Sequence, residues 1–464
     1  MSEIIASVSG VRGILGDSLT PQNIIKFTSA FSEYCQKISK KNPKGNLKIV
    51  VGGDGRLHGE IIEAMVVSNF ALCGFKVINI GIAPTPTVQI ATEDLKCAGG
   101  ISITASHNPQ IWNGLKFLNP DGTFLDETQV AELLKIAGSG KFNYSGIDQL
   151  KLPENDFTWI DKHIEKVLKL KLLNAGVVRK RKFKIVVDAV NSSGSVIVPR
   201  LLEKLGCKVI KLFCDGSGKF PHTPEPLPVN LKLLSNSVKK NKADLGIAVD
   251  PDADRLVLIT DKGDPFSEEN TITAVANFVL KNFPGKNKSL TVNLSTTRAV
   301  DDIARINGAK IFRSAVGEIN VVKEMMKNKS VIGGEGSGGV IYPGLHYGRD
   351  SIVAIAFILN ELADSKLRVS DYKEQLPQYF NSKNKAEGVV DPDKIFARIQ
   401  KKFTGKENVL KIWTNDGLKI DFTDSWVHLR KSNTEPIVRI ITEAKSAQEA
   451  EKLQKFFFSE IKRS

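Results

Sequence analysis

Cysteine is scarce in this 464-residue chain. Cys35, Cys73, Cys97, Cys207 and Cys214 are scattered, odd in number, and none stands in a Cys-x-x-Cys pair. This argues against a disulfide framework and a thiolate zinc site, and makes a reducing cytoplasm the expected home. Histidine is nearly as scarce, with six residues (His58, His107, His163, His222, His346 and His428), so imidazole metal clusters have little material. No run approaches the roughly 20 apolar residues of a membrane-spanning helix. The start, Met1-Ser2-Glu3-Ile4, lacks the basic region and apolar stretch of a secretory signal. Aromatics are few, at 7%. None interleaves with the basic run Arg179-Lys180-Arg181-Lys182, which reads as a solvated entrance to a strand and not as a nucleic-acid patch.

What is present is ordinary globular composition, 41% hydrophobic and 25% charged. At roughly 150 residues per domain, the length argues for about three domains. Lys plus Arg number 65 against 51 Asp plus Glu, a net +14. Such a surplus suits nucleic acid, an anionic membrane or small acidic substrates, and composition alone does not choose.

Short β-branched runs alternate with amphipathic stretches. Lys48–Val51, Lys76–Ile80 and Gly100–Thr104 read as strands, with a helix over Ile61–Leu72. The rhythm restarts at Lys184–Asp188, continues through Val209–Phe213 and Leu245–Val249, and restarts again at Leu290–Asn293. This is βαβ texture, sheets covered by helices. The end differs: Leu418–Phe422, Ser425–Leu429 and Ile437–Ile441 are close-spaced strands followed by a helix from Ala447. The expected fold is three similar mixed-sheet α/β domains over residues 1–150, 151–257 and 258–370, and an α+β domain over 371–464.

Four motifs carry chemistry. Thr104-Ala105-Ser106-His107-Asn108-Pro109 puts Ser106 after a strand, where α/β proteins place ligands. The GxSxG elbow of serine hydrolases is absent. Asp250-Pro251-Asp252-Ala253-Asp254-Arg255 offers three alternating carboxylates after another strand, hard oxygen ligands that suit Mg²⁺. No turn glycine or closing glutamate follows, which excludes an EF-hand. Gly333-Gly334-Glu335-Gly336-Ser337-Gly338-Gly339 frees backbone to approach a ligand while Glu335 and Ser337 supply polar contacts. Arg430, Ser432, Asn433, Thr434 and Arg439 gather phosphate donors around one turn.

Together and in this order, from Val8-Ser9-Gly10-Val11-Arg12-Gly13 to Arg439, the motifs resemble the α-D-phosphohexomutase superfamily. The resemblance implies four domains around a central cleft and an intramolecular phosphotransferase. Its members interconvert hexose 1-phosphate and hexose 6-phosphate through a phosphoserine enzyme and a sugar 1,6-bisphosphate. It implies Ser106 as phosphoryl carrier, with Arg12 and Lys116 as further catalytic residues. One Mg²⁺ per chain would be held by Ser106, Asp250, Asp252 and Asp254, with the sugar 1,6-bisphosphate as primer. Arg255, Glu335, Ser337, Arg430, Ser432, Asn433, Thr434 and Arg439 would bind substrate. The implied partner is a small phosphosugar; no nucleic acid or membrane is expected, and monomer and homodimer both stay open.

The chain also departs from the pattern. Gly339 stands where many relatives have histidine, and Glu318 where others have histidine or lysine. The segment His346-Tyr347-Gly348-Arg349-Asp350 is expected to supply replacement contacts, with His346 the candidate. The Ser432-Asn433-Thr434-Glu435-Pro436 turn resembles the phosphomannomutase/phosphoglucomutase form, whereas the glycine-rich loop resembles a phosphoglucosamine mutase branch. The reading leans to glucosamine phosphate, with glucose and mannose phosphates behind and a metal-dependent sugar phosphatase as a distant alternative.

Overall fold

A computed structural model describes residues 3–41, 47–431 and 437–463. The first sheet has seven strands in the spatial order Ile5–Ser7, Gly10–Ile14, Trp112–Leu118, Gly99–Ile103, Lys48–Gly53, Lys76–Ile82 and Glu154–Asn155. The pairings among its first four strands are antiparallel, and those around Lys48–Gly53 and Lys76–Ile82 are parallel. Two four-stranded sheets follow. One orders Leu256–Ile259, Leu245–Val249, Lys184–Asp188 and Lys208–Phe213; the other orders Lys310–Ser314, Ser289–Asn293, Ile332–Glu335 and Gly339–Ile341. Each is parallel except for one antiparallel edge strand. The last sheet is wholly antiparallel: Phe380–Glu387, Ile437–Ala444, Trp426–Lys431, Leu418–Phe422 and Val409–Trp413.

Three mixed α/β sheets and an α+β unit are thus the architecture, as the residue pattern led one to expect. The central strands Gly99–Ile103, Leu245–Val249 and Ser289–Asn293 are buried along their whole length, which is why they read as unbroken apolar or small-residue runs. Glu154–Asn155 still pairs with the first sheet, past 150, and Leu256–Ile259 completes the second, past 257, because each satisfies its backbone groups on that sheet.

One large apolar core runs through the first three units, centred on the helix Ser351–Ser365, which is buried from Ser351 to Ala363. That helix has no polar face to betray a period, and the sequence reading does not single it out. The C-terminal unit keeps its own core, including Ala386, Ile395, Leu418, Val427, Ile440 and Phe457. It meets the third unit largely through polar contacts. Arg298 donates to the carbonyls of Thr423 and Phe422 (2.8 and 2.7 Å), and the Arg298 amide donates to Glu443 Oε1 (2.8 Å). No helix among the described residues is long and apolar enough to cross a membrane.

Candidate active site

The strands Gly99–Ile103, Leu245–Val249 and Ile332–Glu335 release their loops at carboxyl ends that converge on one cavity of about 450 Å³. Arg12, Ser106, Lys116, Arg255, Glu335, Ser337, Arg430 and Arg439 all line it. Ser432, Asn433 and Thr434 lie outside the described residues.

Ser106 sits in the left-handed region, φ 49°, a strained conformation for a residue with a Cβ. The loop around it is imposed from outside. Arg56, buried, donates to the carbonyls of Asn108 (2.9 Å), Pro109 (2.9 Å) and Trp112 (3.0 Å), and also to that of Ser106. Asp54 accepts from Arg56 Nε (3.0 Å) and from Thr104 Oγ1 (2.6 Å), and Thr104 Oγ1 in turn accepts the Ser106 amide (2.8 Å). The Ser106 hydroxyl donates to Asp250 Oδ2 (3.2 Å) and stands 3.3 Å from His107 Nδ1. Burial, then the nearby Arg255 and Arg12, hold His107 down to about 2, so its imidazole is neutral.

Asp250, Asp252 and Asp254 are buried, and one oxygen of each lies within 4.8 Å of the others. The bend that gathers them needs Ala253 at φ 48°. Asp252 Oδ2 accepts from Lys116 Nζ (2.6 Å) and Thr85 Oγ1 (2.7 Å); Lys116 is 3.5 Å from Asp254. The remaining oxygens, Asp252 Oδ1 and Asp254 Oδ1, are buried without a hydrogen-bond partner. Burial and then the charges of Asp254 and Asp252 push the Asp250 carboxyl well above the usual range. Orphaned hard oxygens among mutually repelling carboxylates are the donor set a small divalent cation satisfies, so the residues present fit Mg²⁺. Burial lowers the Lys116 ammonium, but Asp252 and Asp254 outweigh it and hold the pKa above normal.

Arg349 binds the parts together. Its Nη2 donates to Asp254 Oδ2 (2.6 Å) and its Nη1 to Glu335 Oε2 (2.7 Å), and its Nε lies 3.0 Å from Glu318 Oε2. Glu335 Oε1 accepts from Asn293 Nδ2 (2.9 Å) and the Gly317 amide (3.2 Å). Of the segment expected to compensate for Gly339, it is Arg349 and not His346 that reaches the cavity. His346 is buried with Nε2 3.2 Å from Asp350 Oδ2, an oxygen it shares with His163 (2.9 Å), so its ring is held away. Arg56, Glu269, Asn293 and Lys383 belong to no motif, and the sequence reading assigns them no role. The turn at Asn191–Gly194 steadies the carboxylate loop, Ser193 Oγ donating to the Pro251 carbonyl (2.7 Å).

On the opposite wall Arg430 and Arg439 are cross-strand partners, Arg430 Nε being 3.0 Å from Asp416 Oδ2. Two cations side by side across a strand pair repel unless an anion lies between them. The whole is a four-unit α/β protein whose junction confronts a serine and a carboxylate triad with a cationic wall.

Comparison with known proteins agrees with that class. Models of the four domains of phosphoglucomutase/phosphomannomutase match residues 4–144, 161–263, 267–380 and 368–460. The chain belongs to the phosphoglucomutase/phosphomannomutase family, the phosphohexomutases, and is an isomerase that transfers phosphate within its substrate. A phosphoglucomutase/phosphomannomutase of Thermococcus kodakarensis is 37% identical over 443 residues, covering 95% of this chain and 94% of that one. A probable phosphoglucosamine mutase of Methanopyrus kandleri is 32% identical over 98% of this chain and 97% of its own. Among solved structures, a phosphoglucomutase/phosphomannomutase family protein of Burkholderia thailandensis superposes with a TM-score of 0.84 at 25% identity, covering 99% and 98%. The Aspergillus fumigatus N-acetylphosphoglucosamine mutase, solved with GlcNAc-6P and magnesium, shares the fold at TM-score 0.59 and 13% identity, covering 99% and 96%.

Proposed function

We propose that the chain interconverts the 1- and 6-phosphates of a hexose, glucosamine phosphate foremost, through a phosphoserine at Ser106 and a sugar 1,6-bisphosphate. The observation that carries this is the Ser106 hydroxyl bonded to Asp250 at 3.2 Å in a cavity whose far wall is Arg430 and Arg439. The phosphoryl group passes from Ser106 Oγ to the free hydroxyl of the sugar monophosphate; the bisphosphate turns over; its other phosphoryl group returns to Ser106. Atoms balance with no added water or nucleotide, and the enzyme ends phosphorylated as it began.

Phosphoryl transfer asks mainly for alignment and neutralised charge. Arg430 and Arg439 grip the phosphate that is not reacting, and must accept either end of the intermediate. Arg12, which donates to Asn108 Oδ1 (3.0 Å), and Arg255 add positive charge beside Ser106. Lys116 holds a proton on Nζ at the reacting end and is placed to exchange it with the sugar hydroxyl. Asp250, Asp252 and Asp254, with an oxygen on Ser106, would hold one Mg²⁺, which when bound screens the negative charge of the transferring group. Glu335 and Ser337 face the sugar. The A. fumigatus structure with magnesium and a hexosamine phosphate supports both the cation and the substrate class. The T. kodakarensis and M. kandleri relatives support glucose or mannose phosphate and glucosamine phosphate respectively. A sugar 1,6-bisphosphate primes the unphosphorylated enzyme. Five free thiols suit a reducing cytoplasm.

The test is a panel of glucose, mannose, glucosamine and N-acetylglucosamine 1-phosphates with Mg²⁺ and a bisphosphate primer. Formation of the 6-phosphate, abolished in Ser106→Ala, is expected; release of inorganic phosphate in its place would turn the reading to hydrolysis.

A further inference from the structure

We infer that Glu269 selects the amino sugar: its buried carboxylate, set in the cavity wall with no ion pair among the described residues, takes the ammonium group of glucosamine phosphate. The inference rests on the mutase reading above and names the group that decides its substrate.

Glu269 lies in the first turn of the helix Glu268–Asn282 and is only 8% exposed, yet it lines the cavity. Its Oε2 accepts the Thr297 amide at 3.0 Å. Among the described residues no lysine or arginine lies within ion-pair distance of it. The neighbouring Lys383 turns its Nζ to Glu268 Oε1, 2.9 Å away. A buried carboxylate with one backbone donor, and a lysine only beyond ion-pair distance, is costly unless something else completes it. Burial, eased in part by Lys383, accordingly pushes the Glu269 carboxyl up to about 8, and an ammonium in contact would bring it down again.

Its placement points at the substrate. A Cβ on Gly336 would stand 2.1 Å from Glu269 Oε2 and 2.3 Å from Oε1. The carboxylate therefore lies flat on the bare backbone of the glycine-rich loop, next to Ser337. The other carboxylates in reach are spoken for. Both oxygens of Glu335 are hydrogen-bonded, Glu318 faces Arg349, and the aspartate triad faces Lys116 and the cation position. Glu225 also reaches the cavity, but it is only half-buried and keeps its water.

The candidate hexose phosphates share their phosphate groups; glucosamine phosphate alone carries a cationic substituent on the ring. An ammonium meeting a desolvated carboxylate is a charge-assisted bond that a hydroxyl or an acetamide does not reproduce, and a site built for such a group rejects the analogue lacking it.

The experiment measures kcat/KM for glucosamine 1-phosphate and glucose 1-phosphate with wild type and Glu269→Gln, which keeps the shape and removes the charge. The expected result is a fall of about tenfold or more in the glucosamine-to-glucose ratio. A ratio within about twofold of wild type overturns the inference while leaving the mutase reading intact. A second measurement needs no variant: wild type should prefer glucosamine 1-phosphate to its neutral N-acetylated analogue, and equal kcat/KM for the two overturns it as well. Failure of wild type to isomerise any hexose phosphate would instead strike the mutase reading. Calorimetric affinities of the two sugars for Ser106→Ala and Ser106→Ala/Glu269→Gln would then still read the selection directly, an unchanged ratio overturning it.

Discussion

Gly339 and Arg349 occupy one space: a Cβ on Gly339 would stand 2.3 Å from Arg349 Cδ and 3.0 Å from its Cγ. The bare glycine lets the guanidinium pass to Asp254, Glu318 and Glu335 at once. The departure from histidine at the end of the glycine-rich loop is therefore a matched exchange, with the arginine ten residues on filling the room. Gly339→Ala should act like a lesion of Arg349. It is expected to lower kcat/KM by about tenfold or more while far-UV circular dichroism stays unchanged. Arg349→Met should lose at least as much, and the double variant should lose little beyond the worse single one, because both break the same contact. Additive losses in the double-variant cycle would speak against the shared space.

The carboxylate loop gives a second expectation. Lys116 is buried against Asp252, so Asp252→Asn removes both a proposed cation ligand and the nearest counter-charge of a buried ammonium. Lys116 then keeps only Asp254, 3.5 Å away, so the loss stays below the ~3–5 kcal/mol of a wholly unpaired buried charge. Mg²⁺ affinity by calorimetry should fall at least tenfold, and the melting temperature should drop. In wild type, chelation should abolish turnover and Mg²⁺ should restore it.

Arg56 holds four carbonyls of the serine loop and neutralises Asp54. Burial raises the Asp54 carboxyl despite that partner. Arg56→Met would strand Asp54 and release Ser106 from φ 49°. A loss on the order of 3–5 kcal/mol in stability is expected from the stranded charge. A fall of roughly a hundredfold in the rate of phosphoryl transfer is expected from the misplaced hydroxyl. Thermal melting and single-turnover transfer from phosphorylated enzyme measure the two separately.

His428 sets a pH limit where the third and fourth units meet. Its ring is fully buried, Nε2 donating to the Asp416 carbonyl (2.7 Å) and Nδ1 placed to accept from Ser295 Oγ (2.9 Å). That neutral form satisfies both nitrogens, and burial lowers the pKa to about 4 from 6.5. The unfolded chain thus takes up the proton first as pH falls. Stability contributed by the neutral ring is present above about 6.5 and is lost between there and about 4, on the order of 3 kcal/mol. Melting curves across that window should show the slope, and His428→Gln should flatten it.

The chemistry-bearing loops were legible in the sequence for a physical reason. Ser106, Asp250 and Glu335 each follow or end a buried strand, and a loop leaving a strand's carboxyl end must carry its functional groups in a contiguous stretch. Short-range order was enough to place them, as it was for the alternation of strands and helices. The charge surplus of +14 was much less informative. The cavity uses a handful of cations, among them Arg12, Arg255, Arg349, Arg430 and Arg439.

The sequence by itself determined the three α/β units, the antiparallel end and the motif residues, because periodicity and turn chemistry are local. Only the tertiary structure decided which side chains complete them. Arg56 reaches 50 residues along the chain to Ser106, and Arg349 reaches 95 to Asp254. Each is an ordinary charged residue in its own segment and acquires its role from burial beside a distant opposite charge. The same holds for Glu269, whose proposed role arises because folding lays its carboxylate against Gly336 without an ion pair among the described residues. His346 shows the converse: near the right motif in sequence, it is turned inward to Asp350 by the packing of the first three units.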